Sequence, residues 1–246
     1  MSFHKYIIKK DIIPSTNAYA KEILQEEILQ NLTIITTTNQ TAGKGQTNNS
    51  WESTPGENLT FSIIFYPEKI KANEQFVISQ KVCIGIINYL KYRNINATIK
   101  WPNDIYVDTK KICGILIENI LLGSNIKNSI IGIGLNVNQQ VFYSNAPNPI
   151  SMNNITAQKY DIDQELNKVT DFITEKLSEI DFDKSDLTSE YLNNLYRFEK
   201  ICNYKRKNGS TFAGKIVGID SIGRLNVQNE CNEIETFAFK EIEYLF

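Results

Sequence analysis

The spacing of apolar residues predicts alternating helices and strands along most of the chain. Apolar side chains recur at helical spacing from Ala20 onward to Ile28, after a candidate N-cap at residues 15–17. From 59 to 65 they alternate with polar residues, as expected for a strand with one buried face. Further strands are predicted at 6–8, 32–37, 98–101, 105–107 and 110–118, and further helices at 83–90, 166–180 and 187–195. We therefore predict an α+β fold, a mixed β-sheet with helices packed on one face.

From Phe198 onward the pattern changes to short strands separated by turn signals. Turns are predicted at Asn208-Gly209, at 221–223 and at 229–232. About fifty residues with this rhythm are typical of a small β-barrel. We therefore divide the chain into a domain of residues 1–196 and a C-terminal barrel of residues 197–246.

Charge and cysteine content narrow the functional classes. Lys and Arg total 26 against 28 for Asp and Glu, so the chain has no basic footprint for nucleic acid or anionic lipid. The longest apolar runs are too short to span a bilayer, and the first residues lack the apolar core of a signal peptide. No Cys-x-x-Cys pair occurs, which argues against a zinc site. We interpret the cysteines as small core residues of a protein in the reducing cytoplasm: Cys83, Cys113, Cys202 and Cys231.

The only histidine in the sequence is His4, which we expect at the surface. Its position near the terminus excludes Ser-His-Asp and Cys-His nucleophile systems and histidine-rich metal sites. The chemistry must therefore use lysine, carboxylate, backbone dipoles and bound Mg²⁺.

One predicted hairpin concentrates residues that suit an activated acyl phosphate. Pro102 has no N–H and a fixed φ, so it should mark a strand end, where binding clefts commonly lie. The hairpin offers ammonium groups, an amide and a carboxylate, which suit carboxylate or phosphate ligands and Mg²⁺. The alternative for such a turn is a solvated surface hairpin. The residues concerned are Lys100, Asn103, Asp104 and Lys111.

A glycine-rich loop supplies a second candidate anion site. In Gly43-Lys44-Gly45 the missing side chains let backbone N–H groups approach a ligand, and Lys44 adds charge. An ordinary turn is the alternative. The segment does not fit Gly-x-x-x-x-Gly-Lys-Ser/Thr, so it is not a Walker P-loop. Trp51 and Trp101 offer flat surfaces for an adenine or a bicyclic ring, or simply for core packing.

Four motifs between residues 15 and 138 occur in one order: Ser15-Thr16-Asn17; Gln40 to Trp51; Lys100-Trp101-Pro102-Asn103-Asp104 with Lys111 and Gly114; and Gly132-Ile133-Gly134-Leu135-Asn136. In this order and spacing the chain resembles the biotin protein ligases, also called biotin–[acetyl-CoA-carboxylase] ligases. The segment after Phe198 resembles their SH3-like C-terminal domain. The resemblance implies the biotin/lipoate ligase catalytic fold.

The resemblance also implies roles for the matched residues. Lys111 would be the key catalytic residue, chosen over Lys110 because it directly precedes Ile112-Cys113-Gly114, and Asp104 would orient Mg²⁺ or the triphosphate. No fixed protein-only metal site is expected. Biotin is expected at Ser15, Thr16, Asn17, Gln40, Lys44, Gly45, Gln46, Lys111 and Gly114. The nucleotide is expected at Gly43, Lys44, Gly45, Trp51, Lys100, Asn103, Asp104 and Asn136.

The reaction that the resemblance implies has two steps. Biotin and MgATP give biotinyl-5′-adenylate, and a lysine of a biotin carboxyl carrier domain then attacks the mixed anhydride. We expect the type without an N-terminal DNA-binding domain, as a monomer or a homodimer that pairs through the strand at 112–118. Residues 38–55 and 139–160 are expected to be mobile without ligand and to act as lids over the adenylate. The second segment contains Pro147 and Pro149 and is predicted to be too irregular for a helix or strand.

Two departures and three alternatives accompany this prediction. Gln46 and Thr47-Asn48-Asn49 stand where many members of the family carry basic residues, so retention of the adenylate should depend more on Lys44 and on backbone amides. A lipoate or octanoate ligase or transferase is the nearest alternative. A biotin or nucleotide sensor without turnover is the second, against which Lys111 argues. The third is a scaffold whose barrel binds proteins or nucleic acid.

Overall fold

The computed structural model describes residues 5–46, 49–144 and 148–245. Three predicted features therefore lie outside the described residues: the surface position of His4, the loop residues Thr47-Asn48, and Pro147. Up to residue 195 the chain forms β1 (Ile7–Ile13), α1 (Thr16–Glu26), β2 (Thr33–Gln40), β3 (Leu59–Phe65), α2 (Phe76–Tyr92), β4 (Thr98–Lys100), β5 (Asp104–Val107), β6 (Lys110–Leu122), β7 (Asn125–Leu135), α3 (Met152–Thr156), α4 (Ile162–Ser178) and α5 (Lys184–Asn193).

The first sheet has seven strands in the order β1-β2-β3-β7-β6-β5-β4. β1 pairs with β2 in parallel, and the remaining neighbours pair antiparallel. The sheet is therefore mixed, which confirms the predicted fold class. The strand expected to serve as a dimer edge, at 112–118, is paired with β5 up to Gly114, so it is covered over its first half.

The two faces of this sheet differ in what they pack against. On β3, Leu59, Phe61 and Ile63 point to the face covered by α2, α4 and α5, which we call the core face. Thr60, Ser62 and Ile64 point to the opposite face, which we call the cleft face. There Ile64 joins a smaller cluster with Ala20 of α1. The larger helices thus share one face as predicted, while α1 covers part of the other. Both faces of β3 are buried, so it is not the half-buried strand that was expected.

Helix α1 ends earlier than the apolar pattern predicts. Glu27 has an extended backbone (φ −145°, ψ 159°), and its N–H caps the helix by bonding to the carbonyl of Ile23. Ile28 therefore lies outside the helix and is 92% exposed, whereas the next apolar residue, Leu29, joins the cluster under α1. The prediction of Ile28 on the buried face was wrong because the change of backbone direction at Glu27 ends the helical period.

The segment expected to be irregular, 139–160, contains one short helix. Ser151 caps α3 with a capping box in which Ser151 and Asn154 bond to each other's backbone. Ser151 and Met152 are fully buried, and Met152 N–H bonds to the carbonyl of Asn136 at the end of β7. The prediction that no regular element occurs here was wrong for 152–156, because a polar cap without a long apolar face leaves little periodic signal. The mobility of the two lids stays a prediction.

The C-terminal part of the chain forms a second sheet that is antiparallel throughout. The strands are β8 (Ile201–Arg206), β9 (Thr211–Ile219), β10 (Leu225–Asn229), β11 (Ile234–Phe237) and β12 (Ile242–Tyr244). Their order in the sheet is β11-β10-β9-β8-β12. Positive φ at Gly209, Gly223 and Asn232 falls in the three predicted turns.

The cysteines are all free but only partly in the core. Cys83 and Cys113 are fully buried, and burial raises the pKa of the Cys83 thiol to about 12. Cys202 is half-buried, and Cys231 is exposed in the turn after β10. The core assignment therefore holds for two of the four. Among the described residues, no helix is both long and apolar enough to cross a membrane.

Candidate active site

A cavity on the cleft face gathers most of the predicted site residues. Its wall runs from the N-terminus of α1, over the glycine-rich loop, to the turn between β4 and β5 and the start of β6. The predicted residues that line it are Ser15, Thr16, Asn17, Gln40, Lys44, Gly45, Gln46, Trp51, Lys100, Asn103, Asp104, Lys111 and Gly114.

Glycines form the floor of the cavity. Gly132 and Gly134 of β7 pair with Ser62 and Thr60 of β3, so all four point to the cleft face. A Cβ atom on Gly134 would overlap the indole of Trp51, and one on Gly132 would overlap the side-chain amide of Asn17. Glycine is therefore required at both positions by close approach rather than by backbone conformation.

The N-terminus of α1 is held rigidly at one end of the cavity. Ser15 is the N-cap and accepts a hydrogen bond from Ala18 N–H, as predicted for this segment. Thr16 N–H donates to Gln40 Oε1 at 2.9 Å, which fixes the carboxamide of Gln40 beside the helix. Asn17 Oδ1 accepts from Ser62 Oγ at 2.6 Å, while its Nδ2 donates to Glu118 Oε2 at 2.8 Å. These amides and hydroxyls are therefore preorganised to meet a small polar ring.

A β-bulge turns Lys111 toward the cavity. Asp104 pairs with Gly114 and Tyr106 pairs with Lys111, so Ile112 is the extra residue in the ladder between β5 and β6. In a regular strand residues 111 and 114 would point to opposite faces. Here a Cβ on Gly114 would lie 3.2 Å from Lys111 Nζ, so both positions face the cavity.

Lys111 and Asp104 form the charged centre of the site. Lys111 Nζ lies 2.6 Å from Asp104 Oδ1, and both side chains are about three-quarters buried (25% and 21% exposed). The ammonium also lies 5.7 Å from the centre of the Trp51 ring. A positive group that is partly removed from water and held between a carboxylate and an aromatic face is ready to bind an anionic ligand.

Lys100 lies next to this pair and is more deeply enclosed. Its Nζ is 5.1 Å from the ring centres of both Tyr106 and Tyr244, the second belonging to the C-terminal sheet. Burial lowers the pKa of the Lys100 ammonium below that of an ordinary lysine, and the nearby Asp104 carboxylate opposes this effect.

Asn103 faces the cavity, but its amide is engaged by the backbone of β6. Its Nδ2 donates to the carbonyl of Ile115, and its own carbonyl accepts from Ile115 N–H at 3.1 Å. Asn103 thus continues the pairing of β6 where the ladder with β5 ends, and holds Asp104 in place.

The two tryptophans have different surroundings. Trp101 is 5% exposed, and its indole N–H donates to the carbonyl of Gly223 at 2.8 Å. Trp51 lies over the glycine floor, and its Nε1 has no partner among the described residues. Gln46 Oε1 is likewise buried without a partner in the part of the chain that the structure describes. Trp51 and Gln46 are therefore the groups of the loop best placed to bond a ligand.

Two predicted site residues lie away from the cavity wall. Asn136 is 3% exposed, and its Nδ2 donates to the carbonyl of Ile150 at 3.1 Å, which ties the end of β7 to the following loop. Gly43, the first glycine of the glycine-rich loop, lies outside the cavity lining, and its carbonyl accepts a hydrogen bond from Trp51 N–H at 2.9 Å. Both support the wall from outside.

The structure adds wall residues that the sequence analysis did not assign. Gly132 and Gly134 had a readable signal, since glycines inside an apolar strand indicate close approach. Phe239, in the turn before β12, comes from the C-terminal sheet and has no local signal. The other additions are Asn49, Ser50, Thr60, Pro102, Ile115, Leu116 and Ile133.

The acidic groups of the cavity suit a metal ion held mainly by substrate. Asp104 is the only acidic residue in the cavity wall among the described residues, where no cluster of three His, Cys, Asp or Glu side chains occurs. Mg²⁺ commonly binds through one or two carboxylates together with substrate phosphates. The donor set therefore fits Mg²⁺ that enters with a nucleotide.

Residues 10–136 match the model of the Biotin/lipoate A/B protein ligase family. The chain is 32% identical over 137 residues to the Bifunctional ligase/repressor BirA of Bacillus spizizenii, covering 55% of this chain and 42% of that protein. It is 30% identical over 139 residues to the Biotin--protein ligase of Homo sapiens, covering 54% of this chain and 19% of that protein. The matches thus span less than half the length of these relatives.

Solved structures share the fold across nearly the whole chain. The biotin protein ligase from Aquifex aeolicus in complex with biotin and ATP superposes with a TM-score of 0.78 at 23% identity, covering 97% of each chain. The biotin acetyl coenzyme A carboxylase synthetase from Helicobacter pylori with bound biotinylated ATP gives a TM-score of 0.65 at 20% identity, covering 95% of this chain and all of that one. At these identities the likeness concerns the fold.

Proposed function

Because the chain belongs to the biotin/lipoate A/B protein ligase family, we propose that it converts biotin and ATP into biotinyl-5′-adenylate and pyrophosphate and then transfers biotin to a lysine of a biotin carboxyl carrier domain. The observation that carries this proposal is the cavity in which the Lys111–Asp104 pair stands beside an amide-rich helix N-terminus and a glycine floor. The named relatives and the solved complex with biotin and ATP support the choice of these two substrates.

Biotin fits the end of the cavity next to α1. Its cyclic urea presents two N–H donors and one carbonyl acceptor, which match the hydroxyls of Ser15 and Thr16 and the carboxamide of Gln40. The glycines of the floor leave room for a bicyclic ring directly on the sheet. The valeryl chain would then bring the carboxylate toward Lys111.

Lys111 would act by positioning and by charge. Its ammonium holds the biotin carboxylate and shares the charge that develops when a carboxylate oxygen attacks the α-phosphorus and pyrophosphate leaves. Asp104 keeps that ammonium oriented, and Mg²⁺ bound with ATP would neutralise the phosphates. Partial burial strengthens both interactions, since water screens charges less inside the cavity.

The second step needs a nucleophile from outside. The ε-amine of the carrier lysine attacks the carbonyl carbon of the mixed anhydride, an amide bond forms, and AMP leaves with the electrons of the broken C–O bond. The amine releases its extra proton to solvent. Lys111 again faces the reacting carboxyl group, so one residue serves both steps.

We also propose that the chain divides near residue 196, into a catalytic domain of residues 1–196 and a C-terminal domain of residues 197–246. The two separate sheets support this division, since α5 ends the part around the first sheet and β8 begins the second.

Mass spectrometry of an apo biotin carboxyl carrier domain tests the proposed function. The carrier is incubated with this protein, MgATP and either biotin or lipoate, beside a Lys111→Ala variant. We expect a mass gain of one biotinyl group that the variant does not produce. A gain with lipoate alone would move the chain to the lipoate branch of the family, and no gain with either acid would overturn the ligase proposal.

A further inference from the structure

One turn of the C-terminal sheet is hydrogen-bonded to a residue of the cavity wall. The turn comprises residues 220–224, between β9 and β10, and we call it the docking turn. It places the carbonyl of Gly223 2.8 Å from the indole nitrogen of Trp101, the residue that follows Lys100 at the end of β4. Trp101 lines the cavity, so this hydrogen bond joins the C-terminal sheet directly to the site.

The docking turn is rigid by itself. The carboxylate of Asp220 accepts hydrogen bonds from the N–H groups of Ile222 and Arg224, at 3.1 and 2.8 Å, and from Arg224 Nε at 2.6 Å. Burial raises the pKa of Asp220, but the bonds from Arg224 and Ile222 outweigh it and hold that pKa below its usual value. The carbonyl of Gly223 is therefore presented in a fixed position.

Gly223 also fits a niche that excludes any larger residue. Its φ is +87°, and a Cβ atom at this position would overlap the ring of Phe76 at the start of α2. Phe76 packs edge-to-face on Tyr191 with ring centres 5.6 Å apart, and the hydroxyl of Tyr191 reaches the carbonyl of Pro102 at 3.5 Å. The contacts of Phe76 and Tyr191 therefore lead from Gly223 to Pro102, which follows Trp101 in the cavity wall.

The C-terminal sheet also contacts the hairpin of β4 and β5, which carries Lys100 and Trp101, at two further points. Phe239 packs edge-to-face on Trp101 with ring centres 6.4 Å apart, and the ring centre of Tyr244 lies 5.1 Å from Lys100 Nζ. Lys100 and Asp104 face each other across this hairpin, and Asp104 holds Lys111. Movement of the sheet would therefore move the charged centre of the site.

From this chain of contacts we infer that the docking turn, through Gly223 and Trp101, is a positioning element that holds Lys100 and Asp104 in register for the nucleotide. The inference rests on the proposed function. Because the groups proposed to hold the urea ring of biotin lie around α1, whereas the docking turn bonds to Trp101 beside Lys100, loosening the turn should weaken ATP binding and adenylation more than biotin binding.

Two glycine variants provide a matched test. Gly223→Ala and Gly209→Ala both place alanine at a positive φ in a turn of the C-terminal sheet, but nothing lies within 4 Å of a Cβ on Gly209. For Gly223→Ala we expect adenylate formation, measured by pyrophosphate exchange, to fall about tenfold in kcat/KM for ATP, because small displacements of catalytic groups are costly. The dissociation constant for biotin should change much less than kcat/KM for ATP, and Gly209→Ala should keep wild-type kinetics.

Fluorescence gives a readout that is independent of activity. The sequence has two tryptophans, so Trp51→Phe leaves Trp101 as the only source of tryptophan fluorescence. In that background Gly223→Ala should shift the emission of Trp101 to longer wavelength, and Gly209→Ala should leave it in place. If Gly223→Ala does not fold, Trp101→Phe in the otherwise unchanged chain removes the indole N–H donor together with part of the ring, and it should lower kcat/KM for ATP more than it lowers biotin affinity.

The outcomes separate the two claims. A wild-type chain that forms adenylate while Gly223→Ala matches Gly209→Ala in kinetics and emission would overturn the positioning role alone. An equal loss of biotin and ATP binding would also overturn it, since that indicates general destabilisation. A wild-type chain that forms no adenylate would overturn the proposed function, and the positioning role with it.

Discussion

The core face and the cleft face of the first sheet are made by the same strands but by opposite kinds of residue. On β7 the alternate residues Ile131 and Ile133 pack into the main core, while Gly132 and Gly134 between them form the floor of the cavity. One face is filled to exclude water, and the other is emptied to admit a ligand. Along β7, residues that stabilise the fold and residues that form the cavity therefore alternate with the two-residue period of a strand.

Among substitutions on the cleft face, removing the ammonium of Lys111 should reduce activity most. For Lys111→Ala we expect adenylate formation to fall by about 10²–10³-fold, because a charge aimed at the reacting groups is lost from a partly dry site. Thermal unfolding should change little. Lys110→Ala is the control, since Lys110 is exposed and one residue away, and it should keep normal rates. Equal losses in both variants would contradict the assignment.

A pair of neighbouring substitutions on β7 tests the separation of the faces directly. Gly134→Ala should weaken biotin and ATP binding at least about tenfold, because the added methyl group overlaps Trp51 and fills the floor. Ile131→Ala should instead lower the free energy of unfolding by about 3 kcal/mol through a buried cavity. Calorimetric titration and denaturant unfolding measure both. If each variant lost stability and binding together, the two faces would not be independent.

The pH dependence of ATP binding should sharpen the role of Lys100. A lysine is cationic below its pKa, and burial lowers that of Lys100, so its charge is lost at a lower pH than the usual 10.5. We therefore expect the KM for ATP to rise as the pH is increased, and to begin rising at a pH below 10.5. Lys100→Arg keeps its charge and should flatten the rise. Coincident profiles for the two proteins would show that Lys100 does not hold the nucleotide.

The smallest effect is expected at Gln46. If reduced loop charge limits retention of the adenylate, Gln46→Arg should slow release of biotinyl-5′-adenylate by a few-fold, about the effect of one added surface charge pair. Release is measured by chromatography of the free adenylate during single turnover. Gln46→Met, which adds no charge, is the control, and equal rates in both variants would contradict the hypothesis.

Local sequence signals located elements of the fold, whereas the arrangement of side chains in the cleft depends on contacts between distant parts of the chain. Alternation and turn residues located β3 and the turns of the C-terminal sheet, because these signals are local. The orientation of Lys111 was beyond such reasoning, since it depends on a bulge at Ile112 that only pairing with β5 reveals. Asn136 carried a motif signal, yet its amide holds the loop at Ile150, because Ile150 bonds to Lys111 at the start of β6, beside the end of β7.

The contribution of Phe239 to the cavity has a consequence for protein synthesis. The wall joins Ser15 to Phe239, so the ribosome must deliver the chain as far as residue 239 before the cavity can close. At about 5–20 residues per second, the start of the chain waits for at least roughly ten seconds for its last wall residue. A nascent chain already contains Lys111 during that interval but not the far wall. Translation itself therefore delays the moment at which the chain can hold a reactive intermediate.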